Sequence, residues 1–238
     1  MANLIVEIGN TAVKAAWSEG TVLGKTFRYQ GERIRSFILS LMEREKPVVL
    51  VISSVFEIPA ADEKLYSEKS ERIVILDTVR KSILSDHDIP EYVSCDRAAS
   101  IIAARSMFKG KGCTLVDFGT TLSIDFIDPE GRYCGGSISL GYRTRFKALN
   151  RYSRSLPLID PPSETDVTGN SFETSVASGV VSGIMFEIDG YIGFNPDNIV
   201  VFTGGDANYF AKRMKNPIFV VCNLVLKGLA LIADNYVR

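Results

Sequence analysis

The chain has 238 residues, 46% apolar and 23% charged, the balance of an ordinary globule with room for one large domain or two small ones. A net charge of −1 leaves no basic footprint for nucleic acid or an anionic membrane, and no uninterrupted apolar run reaches the ~18 residues of a membrane span. Four cysteines (Cys95, Cys113, Cys134, Cys222) without C-x-x-C spacing, and His87 as the single histidine, argue against zinc.

The first residues, MANLIVEIGN, carry no basic segment and meet an acid at Glu7, so they do not read as a secretion signal. The expected location is the cytoplasm, with reduced thiols. Residues 4–8 read as a strand, 9–11 as a turn and 13–17 as the return strand. Residues 34–44 place Ile34, Phe37, Ile38 and Leu41 at helical spacing. Residues 47–55 and 73–76 are short, mostly apolar strands, as expected where both faces are covered. Residues 96–108 read as a helix with Ala98, Ile101, Ile102 and Met107 inward.

A second hairpin follows, with strands at 115–118 and 122–127, then a turn at 128–131 into a third strand at 133–138. Residues 143–151 form a basic helix, whose Arg143, Arg145 and Lys147 read as a solvated face. Residues 160–169 are loop. Residues 171–192 form a long helix whose Ala177, Ser178, Gly179 and Gly183 allow close packing. A strand at 199–202, a Gly204-Gly205-Asp206 turn and a helix at 207–214 come next. The apolar stretch 217–233 reads as a strand and a buried helix. Trp17 and Tyr92 read as packing residues.

The two hairpins are copies. LIVEIGNTAVKAAWSEG at 4–20 registers on LVDFGTTLSIDFIDPEG at 115–131 with a shift of about 110, which sets Glu7 on Asp117, Gly9 on Gly119 and Thr11 on Thr121. A glycine in a tight turn lets the backbone approach a phosphate, and the following amides and hydroxyls donate to its oxygens. The acid repels phosphate but can hold a hydrated cation that bridges to it. One acid-x-Gly turn alone is a common loop. Two in register, each opening half of the chain, favour a clamp on a nucleoside triphosphate across a shared cleft.

Two further elements admit two readings each. Gly204 and Gly205 after Thr203 make either a plain strand-to-helix turn or a place for a nucleotide's base or ribose. In Ser94, Cys95, Asp96 and Arg97, Asp96 either caps the following helix or accepts a proton from a substrate hydroxyl, with Arg97 on a substrate carboxylate or carbonyl.

At these residues the sequence resembles the type III pantothenate kinases over nearly its whole length. The family's D-x-G-N-T stands here as Glu7, Ile8, Gly9, Asn10 and Thr11, its G-x-D-R as residues 94–97, and its D-x-G-T as Asp117, Phe118, Gly119 and Thr120. A G-G-x-I-x-P-G run matches 135–141, followed by Ala148-Leu149 and Leu156-Pro157; Ser178-Gly179 and Thr203-Gly204-Gly205 complete the order.

The resemblance implies a duplicated α/β fold of the ribonuclease-H-like, actin-like ATPase type, with two mixed sheets flanked by helices and an interdomain cleft. The expected domains are 1–110 and 111–238. It implies ATP-dependent phosphorylation of pantothenate, the first step of coenzyme A synthesis, by a homodimer. Asp96 maps to the catalytic base. Glu7 to Lys14 (with Ala12 and Val13), Thr120, Gly204 and Gly205 map to the ATP site. His87, Ser94, Cys95, Asp96, Arg97 and Phe172 map to the pantothenate site. Asp117 maps to a monovalent cation (K⁺ or NH₄⁺), and Glu7 to Mg²⁺ through water.

The sequence departs from the family at Glu7 (Asp in the family), Ser94 (Gly), His87 (near an expected Tyr) and Phe172 (Thr, with Ser171 adjacent), and at Leu122 and Leu140. An active kinase is the favoured reading, because the base and cation positions survive. A nucleotide-binding paralogue without turnover, or a kinase for another small alcohol, is the alternative.

Overall fold

Three antiparallel strands open each half of the chain, and the same strand order is then built twice. The computed structural model describes residues 2–237. Contacts divide the chain into two units, Met1–Lys109 with Asn223–Arg238, and Gly110–Cys222.

In the first unit β1 (Asn3–Ile8), β2 (Val13–Glu19) and β3 (Val22–Tyr29) form a meander, with β2–β3 reversing at Gly20 (φ +54°). β4 (Val49–Ser54) and β5 (Arg72–Leu76) add in parallel, giving the order β3-β2-β1-β4-β5. α1 (Ile34–Met42) and α2 (Ala60–Glu68) make the crossovers, and a 3₁₀ turn, Ser82–His87, leads to α3 (Cys95–Met107). Every residue of β4 is buried, the signature of a central strand covered on both faces. The core joins Leu4, Val6, Leu50 and Ile52 of the sheet to Ile38, Leu41 and Tyr66 of the helices, with Trp17 packed at its margin.

The second unit repeats the plan. β6 (Cys113–Phe118), β7 (Thr121–Ile127) and β8 (Tyr133–Leu140) form the meander, and β9 (Ile199–Gly204) and β10 (Ile218–Val220) extend it in the order β10-β9-β6-β7-β8. α4 (Tyr142–Tyr152), α5 (Phe172–Phe194) and the short α6 (Ala207–Ala211) connect these strands. Phe118 stacks on Phe210 at 5.0 Å and meets Phe202 edge-on at 4.9 Å. Burying one such ring contributes about 2–3 kcal/mol. α5 begins with a reciprocal cap, in which Ser171 accepts from the Thr174 N–H and Thr174 Oγ1 accepts from the Ser171 N–H.

α7 (Leu224–Val237) packs on α3 and on β1 and β4 of the first unit. Against the expected domains 1–110 and 111–238, contacts group Asn223–Arg238 with Met1–Lys109 and leave Gly110–Cys222 as the second unit. Gly228 is the physical reason: a Cβ there would lie 1.8 Å from the Ala99 carbonyl oxygen, so the α3 and α7 backbones meet with no side chain between them.

Other elements differ from the sequence reading. β3 is an edge strand whose apolar residues do not alternate cleanly (VLGKTFRY), and α2 buries only Tyr66, so neither shows a periodic signal. α6 ends at Ala211, not at 214. Arg145 is only partly exposed. Its guanidinium donates to the Leu140 carbonyl (2.8 Å) and Ser139 Oγ (3.0 Å) and pairs with Glu187, tying α4 to β8 and α5. On α5 the buried small residues are Ala177 and Ser178, whereas a Cβ at Gly179, Gly190 or Gly193 would meet nothing within 4 Å.

Candidate active site

In β1 and β6 the burial pattern is the same: one residue of each strand keeps partial exposure, Glu7 in one and Asp117 in the other. Each acid stands two residues before the glycine of its turn. Gly9 donates to the Ala12 carbonyl and Gly119 to the Thr121 carbonyl, both at 3.0 Å. The pairs Ile8↔Val13 and Phe118↔Leu122 show that the second turn is one residue shorter than the first. Asn10, Thr11, Gly119 and Thr120 are exposed, so both turns present their backbone outward.

The two acids differ in what faces them. Glu7 pairs in register with Lys14, whose Nζ donates at 3.2 Å and 3.4 Å to the two carboxylate oxygens. Burial pushes the Glu7 carboxyl above its usual range; Lys14 opposes that shift and the charge of Asp96 adds to it. Glu7, Lys14 and Asp96 are therefore electrostatic neighbours on the first unit. Asp117 instead has Ser123 and Thr203 as its register partners on β7 and β9, both buried hydroxyls. Carboxylate and hydroxyl oxygens are the donor type that suits a hard cation.

Glycines back the second turn. Gly204 has φ +93°, and a Cβ there would lie 2.5 Å from Asp117 Oδ1 and from the Phe118 carbonyl oxygen. The Gly205 N–H donates to that same Phe118 carbonyl at 3.0 Å. The Thr120 carbonyl accepts from the Gly141 N–H (3.0 Å) and from Thr144 Oγ1 (2.7 Å). Thr144 was not singled out from the sequence; its signal was a hydroxyl three residues after the Gly141 that precedes α4.

Asp96 is not the cap of α3. Ser94, extended at ψ 153°, flanks the helix without a side-chain cap bond, and Asp96 sits in the first turn, its Oδ1 accepting from the Arg97 N–H at 2.9 Å. The helix begins one residue earlier than the sequence suggests, at Cys95. Asp96 keeps partial exposure, while Cys95 and Arg97 are buried, Arg97 at 9% exposure and engaged within the fold.

His87 lies at the end of the 3₁₀ turn, where its carbonyl accepts from Arg105. Burial pulls the imidazole below its usual range, Arg105 adds to this, and Asp86 and Asp88 oppose it. Arg105 is nine residues along α3 from Asp96, roughly 13 Å of helix, so His87 is anchored near the far end of the helix from Asp96. Phe172 starts α5 and is 64% exposed. Among the described residues no three His, Cys, Asp or Glu side chains gather as a metal cage.

A protein-family model described as type III pantothenate kinase matches residues 3–193. A type III pantothenate kinase of Cytophaga hutchinsonii is 35% identical over 232 residues, covering 95% of this chain and 96% of the relative. One from Flavobacterium psychrophilum is 32% identical over 234 residues, covering 95% and 96%. Among solved structures, a Baf-family protein of Campylobacter jejuni superposes with TM-score 0.65 at 19% identity, covering 99% of this chain and all (100%) of that one. The ROK hexokinase of Thermus thermophilus superposes with TM-score 0.57 at 12% identity, covering 100% of both chains. At these identities the structures bear on the fold, which they share with this chain.

Proposed function

Since this chain belongs to the type III pantothenate kinase family, we propose that it transfers the γ-phosphoryl group of ATP to the primary hydroxyl of pantothenate with Asp96 as general base. The observation that carries the assignment of roles is the grouping of Asp96 with Glu7 and Lys14 beside the first glycine turn. Asp96 accepts the hydroxyl proton as the alcohol oxygen attacks phosphorus. The new P–O bond forms as the bond to the leaving ADP oxygen breaks. Lys14 offers its ammonium to the phosphates, with Glu7 holding it in place. Residues 8–13 supply backbone and hydroxyl donors, and Thr120, Gly204 and Gly205 are likewise assigned to ATP. Ser94, Cys95, Arg97, His87 and Phe172 are assigned to pantothenate.

Mg²⁺ accompanying ATP supplies charge neutralisation at the phosphate oxygens. Glu7 fits such an ion only through water, because both of its oxygens already lie within 3.4 Å of Lys14 Nζ. Asp117, with Ser123 and Thr203 opposite, fits a monovalent cation, K⁺ or NH₄⁺. Gly204→Ala is expected to push the Asp117 carboxylate aside and to raise the K⁺ concentration for half-maximal activity roughly tenfold, a loss of ~1.4 kcal/mol. An unchanged K⁺ titration would separate Asp117 from the cation.

A homodimer is part of the same reading, with a second copy against the exposed glycine side of α5, where Phe186 is 64% exposed. Light scattering should return twice the 26.2 kDa chain mass. No described helix is long and apolar enough to cross a membrane, and we assign the chain to the cytoplasm. The direct test incubates purified protein with pantothenate, ATP, Mg²⁺ and K⁺ and detects phosphopantothenate by mass. ATP binding without any transfer would point to a binding role, and ATP use with a different small alcohol alone would reassign the acceptor.

A further inference from the structure

We propose that a buried ion-pair knot built on Asp77 and Arg80 is a positioning element for Asp96, fixing the first turn of α3 from beneath. Asp77 directly follows β5 and is fully buried, at 0% exposure. Its carboxylate accepts from the Val79 N–H (3.0 Å), the Arg80 N–H (2.9 Å), the Ile58 N–H (3.0 Å) and Arg80 Nε (3.0 Å), with Arg80 Nη2 also bound. The same guanidinium donates to the Ile58 carbonyl at 2.7 Å and pairs with Glu63 of α2. One carboxylate and one guanidinium thus lock together the loops that follow β4 and β5.

The link to the site is the backbone of Asp77. Its carbonyl accepts from Cys95 Sγ at 3.5 Å, and Cys95 is the first residue of α3, adjacent to Asp96. Ser94 gives that helix no side-chain cap, and this contact joins the buried Arg97 in seating its first turn. Burial alone would raise the Asp77 carboxyl; the Arg80 guanidinium and the N–H groups of Ile58, Arg80 and Val79 outweigh it and hold it at about 2, against an ordinary 3.8. The stability this contributes is present above 3.8 and is lost as pH falls through about 2, so the knot is complete at any neutral assay pH. An arginine fork has the geometry for this, and a lysine does not.

The proposal rests on the reading of Asp96 as the base, and the two fail separately. Full activity of Asp96→Asn would overturn the base assignment and leave the knot untouched. For the knot, Asp77→Asn and Arg80→Ala are compared with Arg80→Lys. Hydrogen exchange on the full chain reads α3 independently of activity.

The expected result is exchange at least ~10-fold faster in residues 94–98 with 100–107 unchanged, since α3 also packs on α7, where Gly228 meets Ala99. With it, kcat should fall by ~10- to 100-fold at a KM for ATP within ~2-fold, the acid limb of the kcat–pH profile should shift, and Arg80→Lys should recover part of the loss. Uniformly faster exchange along α3, or loss of rate matched by loss of folded protein in all three variants, would overturn positioning and leave a purely structural knot. Should Asp77→Asn not fold, Arg80→Lys alone decides by the same exchange pattern.

Discussion

Replacing Asp96 by Asn is expected to lower kcat for pantothenate phosphorylation by ~10²-fold or more, with the KM for ATP and the melting temperature nearly unchanged. The substitution keeps the shape of the side chain, and the Asn carbonyl can still accept from the Arg97 N–H as Asp96 Oδ1 does. It removes the capacity to take a proton. It also removes the negative charge that helps raise the Glu7 carboxyl, so Glu7 should titrate at lower pH in the variant. A rate loss without that titration change would mean that Asp96 and Glu7 are uncoupled in the working enzyme. A variant as fast as the parent would remove Asp96 from the chemistry.

The second large effect is expected at a residue that touches no substrate. Gly228→Ala introduces a methyl 1.8 Å from the Ala99 carbonyl oxygen, 2.5 Å from its carbon and 2.9 Å from its Cα. These are backbone atoms inside a helix and cannot rotate away, so α3 and α7 must separate. The expected cost is about 3 kcal/mol, the upper range of overpacking, and a fall in melting temperature of roughly 10 °C. Because α3 carries Asp96, kcat should fall as well. Gly179→Ala on α5 is the comparison: the added methyl meets nothing within 4 Å in its own chain, so a loss of stability there would come from the second copy proposed against that face. Equal melting of Gly228→Ala and the parent would show that the helices have slack that the structure does not record.

What could be read from the sequence followed from local pattern. Glu7 and Asp117 were legible because each interrupts an apolar strand two residues before a glycine, and the structure leaves these as the partly exposed residues of β1 and β6. The central strands were legible because burial on both faces forces continuous apolar runs. β3 and α2 were not, since an edge strand and a solvated helix place few constraints on side-chain type.

The placement of α7 was hidden for a different reason. Its apolar run announces a buried helix, but the surface that buries it was fixed by Gly228 and Ala99, 129 positions apart, and no local period records that contact. Asp77 and Arg80 carry no periodic mark in the sequence. An Asp ending the apolar strand RIVIL with an Arg three residues on was the available signal, but a side chain at 0% exposure is a fact of packing that spacing does not reveal.

That the last helix closes the first unit imposes an order on birth at the ribosome. The interior segment, 110–222, is continuous and can complete its fold while translation proceeds. The earlier segment must wait for α7 (Leu224–Val237), its sheet face open until that helix emerges to cover it. A nascent chain of this enzyme therefore finishes its middle before its beginning, and a chain cut before Leu224 leaves α3 without its companion.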